Sequence, residues 1–257
     1  MKYKKLSKQP LKLVIAEFKF SPVLQIQKSI PDVQEAFRQE YPIFDRKIDN
    51  IIQVTNSVEV SNIERWSFIS KNKKQAIELS KERMVYFSSE YERFDGFSIA
   101  CEKALNILAN IIKPSLIERI GLRYSDLVLI NGNEKMADLV DAHFISPKEI
   151  SNLGSASHQK TELLIKTDQG HLAIRTLYGI HDWSYLVDLH NRPPISIHME
   201  NIVSERIILD FDHFWDSGDS SSNFDTTNII QILGNLHQTA REAFWRVTTD
   251  YARNEKW

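Results

Sequence analysis

Residues 11–20 (LKLVIAEFKF) alternate, with Leu13, Ile15 and Glu17 pointing one way and Val14, Ala16, Phe18 and Phe20 the other. Period-2 alternation predicts a strand. Ser21-Pro22 ends it, because proline donates no hydrogen bond to a sheet ladder. Residues 29–41 shift to helical spacing. Ser29 or Pro31 opens that helix and Asp32 favours its first turn, Val33, Ala36, Phe37 and Glu40-Tyr41 carry its periodicity, and Pro42 stops it. Four strand-like runs follow, at 48–60, 63–70, 74–80 and 82–89, separated by short polar turns. The basic stretch Lys71-Asn72-Lys73-Lys74 reads as a solvated hairpin turn. In the second run Trp66 and Phe68 share one face, and Arg65, Ser67 and Ile69 share the other. Residues 94–113 then show an apolar helical stripe through Phe97, Cys101, Ala104, Leu105, Leu108, Ile111 and Ile112, stopped by Pro114.

The order then recurs. A strand over 117–130 is followed by a short helix over 134–144. Strand-like runs lie at 161–167, 171–178, 195–201 and 204–215, and a closing helix spans 227–249. Each half reads β-α-β-β-β-β-α, with the break near residue 114 and longer loops in the second half. The fold class expected is therefore α+β, built from two tandem units, 1–114 and 115–257, in one compact two-lobed domain. A meander of antiparallel strands must lay its amphipathic helix on one sheet face. Two such units side by side predict a curved antiparallel sheet with helices behind it. That arrangement resembles the duplicated TATA-box-binding-protein-like fold in shape, which by itself implies no function.

Composition narrows the class without naming an activity. The chain has 257 residues, 42% of them hydrophobic, and a formal net charge of −2. These values exclude a collagen, a disordered tail, a disulfide-stapled miniprotein and a polytopic membrane protein. Cys101 has no partner within the chain, which fits a reducing cytoplasm. The basic N-terminus is followed by an apolar run, Leu11 to Ala16, that Lys12 interrupts, so no signal peptide is expected. No stretch approaches the ~18 apolar residues of a membrane span. Near-neutral charge argues against a protein devoted to neutralising phosphates.

Three strands of the second half bring charges to one face: Arg119 and Arg123, then Arg175, then Asp210 and Asp212. This set reads as a cross-strand charge ladder, or as a polar groove for a peptide, an anion or a nucleotide. Its near-neutral balance favours the ladder, since an anion site shows excess arginine. Gly121, inside Arg119-Ile120-Gly121-Leu122-Arg123-Tyr124, is expected to mark a bulge or a close approach. The segment Asp210-x-Asp212-His213-x-x-Asp216 is acidic, but alternation turns His213 away from both aspartates, and the calcium-loop spacing fails. Cys101 lies within an apolar stripe and reads as a buried structural thiol. Nucleophile-elbow and phosphate-loop motifs are absent from the sequence. The insertion from His181 through Trp183 and Tyr185 to His190 is mixed polar and aromatic, and reads as a contact surface.

The whole chain, from about residue 10 to 250, resembles a sporadically distributed group of bacterial and archaeal proteins of similar length. The residues that carry the resemblance are Glu40-Tyr41-Pro42, the segments Arg65 to Ser70, Pro114 to Tyr124 and Leu209 to Asp212, and Leu236-His237 with Phe244, Val247 and Thr248. The Arg119–Tyr124 block is the most specific piece. The resemblance implies no activity or catalytic residue. It implies an association with mobile genetic islands where defence and toxin–antitoxin genes gather.

The reading is a cytoplasmic interaction module without catalysis, cofactor or metal, binding a protein or peptide through its curved sheet or a sheet edge. Candidate contacts are Arg65, Trp66, Arg119, Arg123, Arg175, Trp183, Tyr185, Asp210 and Asp212. One alternative is nucleic-acid or nucleotide binding on the same surface. Another is a metal-dependent hydrolase using Asp210 and Asp212. A homodimer is the default oligomer.

Overall fold

The computed structural model describes residues 3–54, 58–145, 153–154, 157–189, 193–218 and 220–257. Its frame is one unclosed antiparallel sheet of ten strands. These are β1 (Leu11–Phe20), β2 (Ile43–Val54), β3 (Val58–Ile69), β4 (Gln75–Ser80) and β5 (Arg83–Ser88), then β6 (Leu116–Leu129), β7 (His158–Thr167), β8 (Gly170–His181), β9 (Ser204–Asp216) and β10 (Ser222–Asn223). The spatial order is β2-β3-β4-β5-β1-β6-β9-β8-β7, and β10 pairs the start of β6. The helices are α1 (Ile30–Phe37), α2 (Phe94–Ile111), α3 (Met136–Leu139) and α4 (Thr226–Val247). No helix among the described residues is long and apolar enough to cross a membrane.

The α+β class and the large antiparallel sheet agree with the sequence pattern. Val14, Ala16, Phe18 and Phe20 of β1 are buried towards the helices. In register they stand opposite Tyr124, Leu122, Ile120 and Ile117 of β6. The main core joins these positions to the α2 stripe, including the buried thiol of Cys101, and to Ile229, Leu233, Leu236 and Ala240 of α4. Residues from both halves therefore share one core.

Several boundaries differ. The runs at 48–60 and 63–70 are the antiparallel pair β2–β3, and residues 55–57 between these strands lie outside the described residues. Thr55-Asn56-Ser57 are turn formers, a local signal that the apolar residues on either side obscure. The helix expected over 29–41 is α1, entered through a 3-10 turn at Ile26–Ser29. The helix expected over 134–144 shrinks to α3, followed by a 3-10 turn at Ala142–Phe144.

The strand expected at 195–201 does not form. The described residues of 182–203 instead cross the open face of the sheet, the face away from α2 and α4. There Leu186 closes over Leu127, Leu177 and Ile208 as a small second layer of core. Ser196 donates its N–H to the Lys73 carbonyl at 2.7 Å, and its own carbonyl accepts from Ser89 Oγ at 2.8 Å. An alternating pattern is thus satisfied by laying one side of an irregular segment on the sheet.

Candidate functional site

The open face carries the charges that alternation assigned to it. Arg123 on β6 stands opposite Asp212 on β9, two positions along from Asp210, and Arg175 on β8 stands opposite Asp210. Arg123 Nε lies 3.0 and 2.9 Å from the two oxygens of Asp210, while its terminal nitrogens meet Asp188 at 2.7 and 3.1 Å. Arg175 reaches Asp210 at 3.4 Å, Asp212 at 3.2 Å and Glu162 at 2.9 Å. Asp210 is completely buried. Burial pushes its carboxyl up to about 6 against the pull of Arg123, so it stays ionised at neutral pH. For Arg123, burial alone would favour the neutral form. The bond to Asp188 and the charge of Asp210 outweigh it and hold the guanidinium above its ordinary range.

This constellation is a self-neutralised network. Two guanidiniums stand where a cation would have to approach Asp210 and Asp212. The Asp188 segment also caps Arg123 from above. His213 does turn to the helix side, where Nδ1 lies 2.9 Å from the Leu236 carbonyl and Nε2 lies 2.9 Å from Thr167 Oγ1. Among the described residues no cluster of three His, Cys, Asp or Glu side chains could hold a metal ion.

The other sequence candidates scatter. Arg119 stacks over the Phe214 ring at 4.0 Å and lies 3.8 Å from Glu17. Gly121 marks neither a bulge nor a close approach. Its register is continuous on both sides, and an added Cβ would meet Glu17 and Phe214 only at ordinary contact distances of 3.8 and 3.9 Å. Arg65 pairs with Asp49 and Glu78 on β2 and β4. It sits four strand spacings from Arg123, roughly 19 Å. Trp66, named as a contact, is instead a core side chain, because β3 turns it to the helix side. Trp183 and Tyr185 ride on the covering segment. The buried Arg206 guanidinium anchors that segment by donating to the carbonyls of Trp183, Glu200 and Ile202.

A different site lies on the helix side. A cavity of about 330 Å³ opens between the N-terminal segment, the loop before α2, strands β6 and β9, and α4. Tyr124, Asp126 and Phe211 form its strand side; Phe94, His237 and Phe244 come from the helices. Tyr124 Oη and His237 Nδ1 are 2.8 Å apart, and the His237 ring stacks on Phe94 with centroids 4.1 Å apart. Burial, and then the charge of Arg241, push His237 down to about 3, so it is neutral at physiological pH. Burial raises the Tyr124 phenol well above its ordinary value.

Asp126 is only 4% exposed, and its carboxyl makes no hydrogen bond or ion pair with the described residues. Burial, and then the charge of Asp210, push it up to about 8. An unpartnered buried acid is costly, and this one borders a cavity lined by aromatic rings. At the mouth Arg241 lies over the Tyr3 ring at 4.4 Å, and its Nε is buried without a hydrogen-bond partner.

None of the nine sequence candidates borders this cavity. Two local signals pointed to it. Asp126 breaks the inward series Ile120, Leu122, Tyr124, Val128, and His237 interrupts the apolar stripe of α4. Compared with models of protein families and with curated proteins, the chain matches none.

Proposed function

We propose that the protein is a binding module whose ligand enters the cavity above Asp126 and His237. The observation that carries this reading is the unpartnered Asp126 carboxyl beside an aromatic-lined space. A volume of about 330 Å³ is at the small end of the range for ligand sites. It suits a small molecule or one projecting group of a protein or peptide partner. The sheet-face groove is the weaker site, because its arginines and aspartates already satisfy one another.

A ligand-observed NMR screen with a chemically mixed fragment set tests this. Hits are expected with the wild type and with Glu162→Ala on the sheet face, and are lost in Gln238→Trp at the cavity mouth. Hits that survive Gln238→Trp and vanish in Glu162→Ala would transfer the function to the sheet.

A second reading concerns the edge strand β7, which pairs only β8 among the described strands and exposes Leu163, Leu164 and Ile165. An open apolar edge invites strand addition by a peptide or a second copy. Sedimentation over a concentration series, with Leu164→Lys as control, reports on it. The duplicated arrangement belongs to the same proposal. It is supported by the orders β1-β5-β4-β3-β2 and β6-β9-β8-β7, which run outward from one central pair.

A further inference from the structure

We infer that the cavity selects a small zwitterion, an amine that also carries an acidic group, with the ammonium on Asp126 and the anionic end at the mouth. The inference rests on the cavity being the binding site.

Burial holds a proton on Asp126 across neutral pH, and an ammonium that binds there takes that proton's place beside the ionised carboxylate. The residue is 4% exposed, and among the described residues its carboxyl has no hydrogen-bond or ion-pair partner. Tyr124 is committed to His237, and Phe211 and Phe244 offer only ring surfaces. An ammonium brings N–H donors and a charge. The surrounding rings favour a cation electrostatically over a neutral alcohol or amide. A charge-assisted bond to a carboxylate is also the strongest that a single small ligand group can make there.

The mouth has the opposite character. Lys4, Arg93 and Arg241 border it, and Lys5 is paired with Glu92 at 3.7 Å. Against these stands Asp95. A bare cation would meet this basic rim unfavourably. An anionic group on the same molecule reverses the sign, because it meets the charges of Lys4, Arg93 and Arg241. Acid inside and base outside therefore select opposite charges at the two ends of one ligand.

The test uses ω-amino acids of increasing chain length, together with alkylammonium ions and carboxylates of matched length, titrated into the full chain by NMR. At the best length the ω-amino acid is expected to bind about tenfold more tightly than either matched ion. Asp126→Asn should abolish its advantage over the carboxylate. Arg241→Gln should abolish its advantage over the alkylammonium. A single cooperative thermal unfolding transition shows that each variant is folded. Should either variant not fold, the wild-type ranking alone decides. Equal binding of carboxylate and ω-amino acid by the wild type, or full binding by Asp126→Asn, overturns the inference. If none of the three series binds while uncharged fragments still occupy the cavity, the zwitterion is wrong and the cavity stands. If nothing binds there, both readings fall.

Discussion

Arg123 on β6 holds both carboxylate oxygens of Asp210 on β9 through its Nε, at 3.0 and 2.9 Å. The rest of its fork faces outward to Asp188 in the segment that crosses the sheet. One side chain thus neutralises a fully buried acid and fastens the cover above it. A guanidinium can do this because its donors are fixed in a plane and reach two partners at once.

Removing that fork should be expensive. Arg123→Ala leaves Asp210 buried with only the longer contact to Arg175, and is expected to cost about 3 kcal/mol or more. Arg123→Lys should recover little, since one ammonium cannot span both carboxylates. Denaturant unfolding measures this. A loss below about 1 kcal/mol would mean that the network is looser than its geometry.

The cover has a second fastening, at Arg206. Among the described residues its guanidinium has no carboxylate partner, and it donates to Ser204 Oγ and to the carbonyls of Trp183, Glu200 and Ile202. Burial lowers its pKa. Arg206→Met keeps the stem but orphans those carbonyls, for an expected cost of about 2 kcal/mol. Hydrogen exchange should rise at the Ser196 amide, which bonds Lys73, while the β1–β6 amides stay protected. Unchanged exchange at Ser196 would show that the segment is held by Leu186 alone.

Asp126 makes stability fall as pH rises. Its pKa in the folded protein, about 8, lies above the ordinary carboxylate value. Between those values the native state carries a proton that the unfolded chain has lost, so stability declines across that window and levels off above it. Asp210, raised to about 6, adds a slope of the same sign over the lower part. Asp126→Asn should therefore gain on the wild type progressively from about pH 5 to about pH 8. Urea titrations of the two proteins across that range would show parallel curves if the idea is wrong.

His237 acts in the opposite sense. Its pKa is pushed down to about 3, so the unfolded chain binds a proton that the folded one refuses. Stability is present above the ordinary histidine value and is lost as pH falls towards about 3. His237→Asn, which keeps an acceptor near the Tyr124 hydroxyl, should flatten the acid limb. An acid-unfolding profile that keeps its wild-type shape would locate the sensitivity elsewhere.

Much of the frame was legible in the chain itself. The alternation of β1 and β6 set which side chains face the helices, because a strand can bury only every second residue. The same rule placed Arg119, Arg123, Arg175, Asp210 and Asp212 on one face and turned His213 to the other. The stripes of α2 and α4 announced helices that must lie on that sheet. These are local statements, and local spacing suffices for them.

Whatever depends on approach between distant segments was decided by the tertiary structure. The run at 195–201 looks like a strand, yet Lys73, Ser89 and the buried Arg206 hold its neighbourhood as a cover. Trp66 was legible as a face but not as buried, since burial depends on which face the helices choose. The cavity draws on the N-terminal segment, the loop before α2, β6, β9 and α4. Asp126 and His237 could each be seen as a break in an apolar pattern. Only folding shows that the two breaks border one space, because no periodicity relates residues 111 positions apart in different elements.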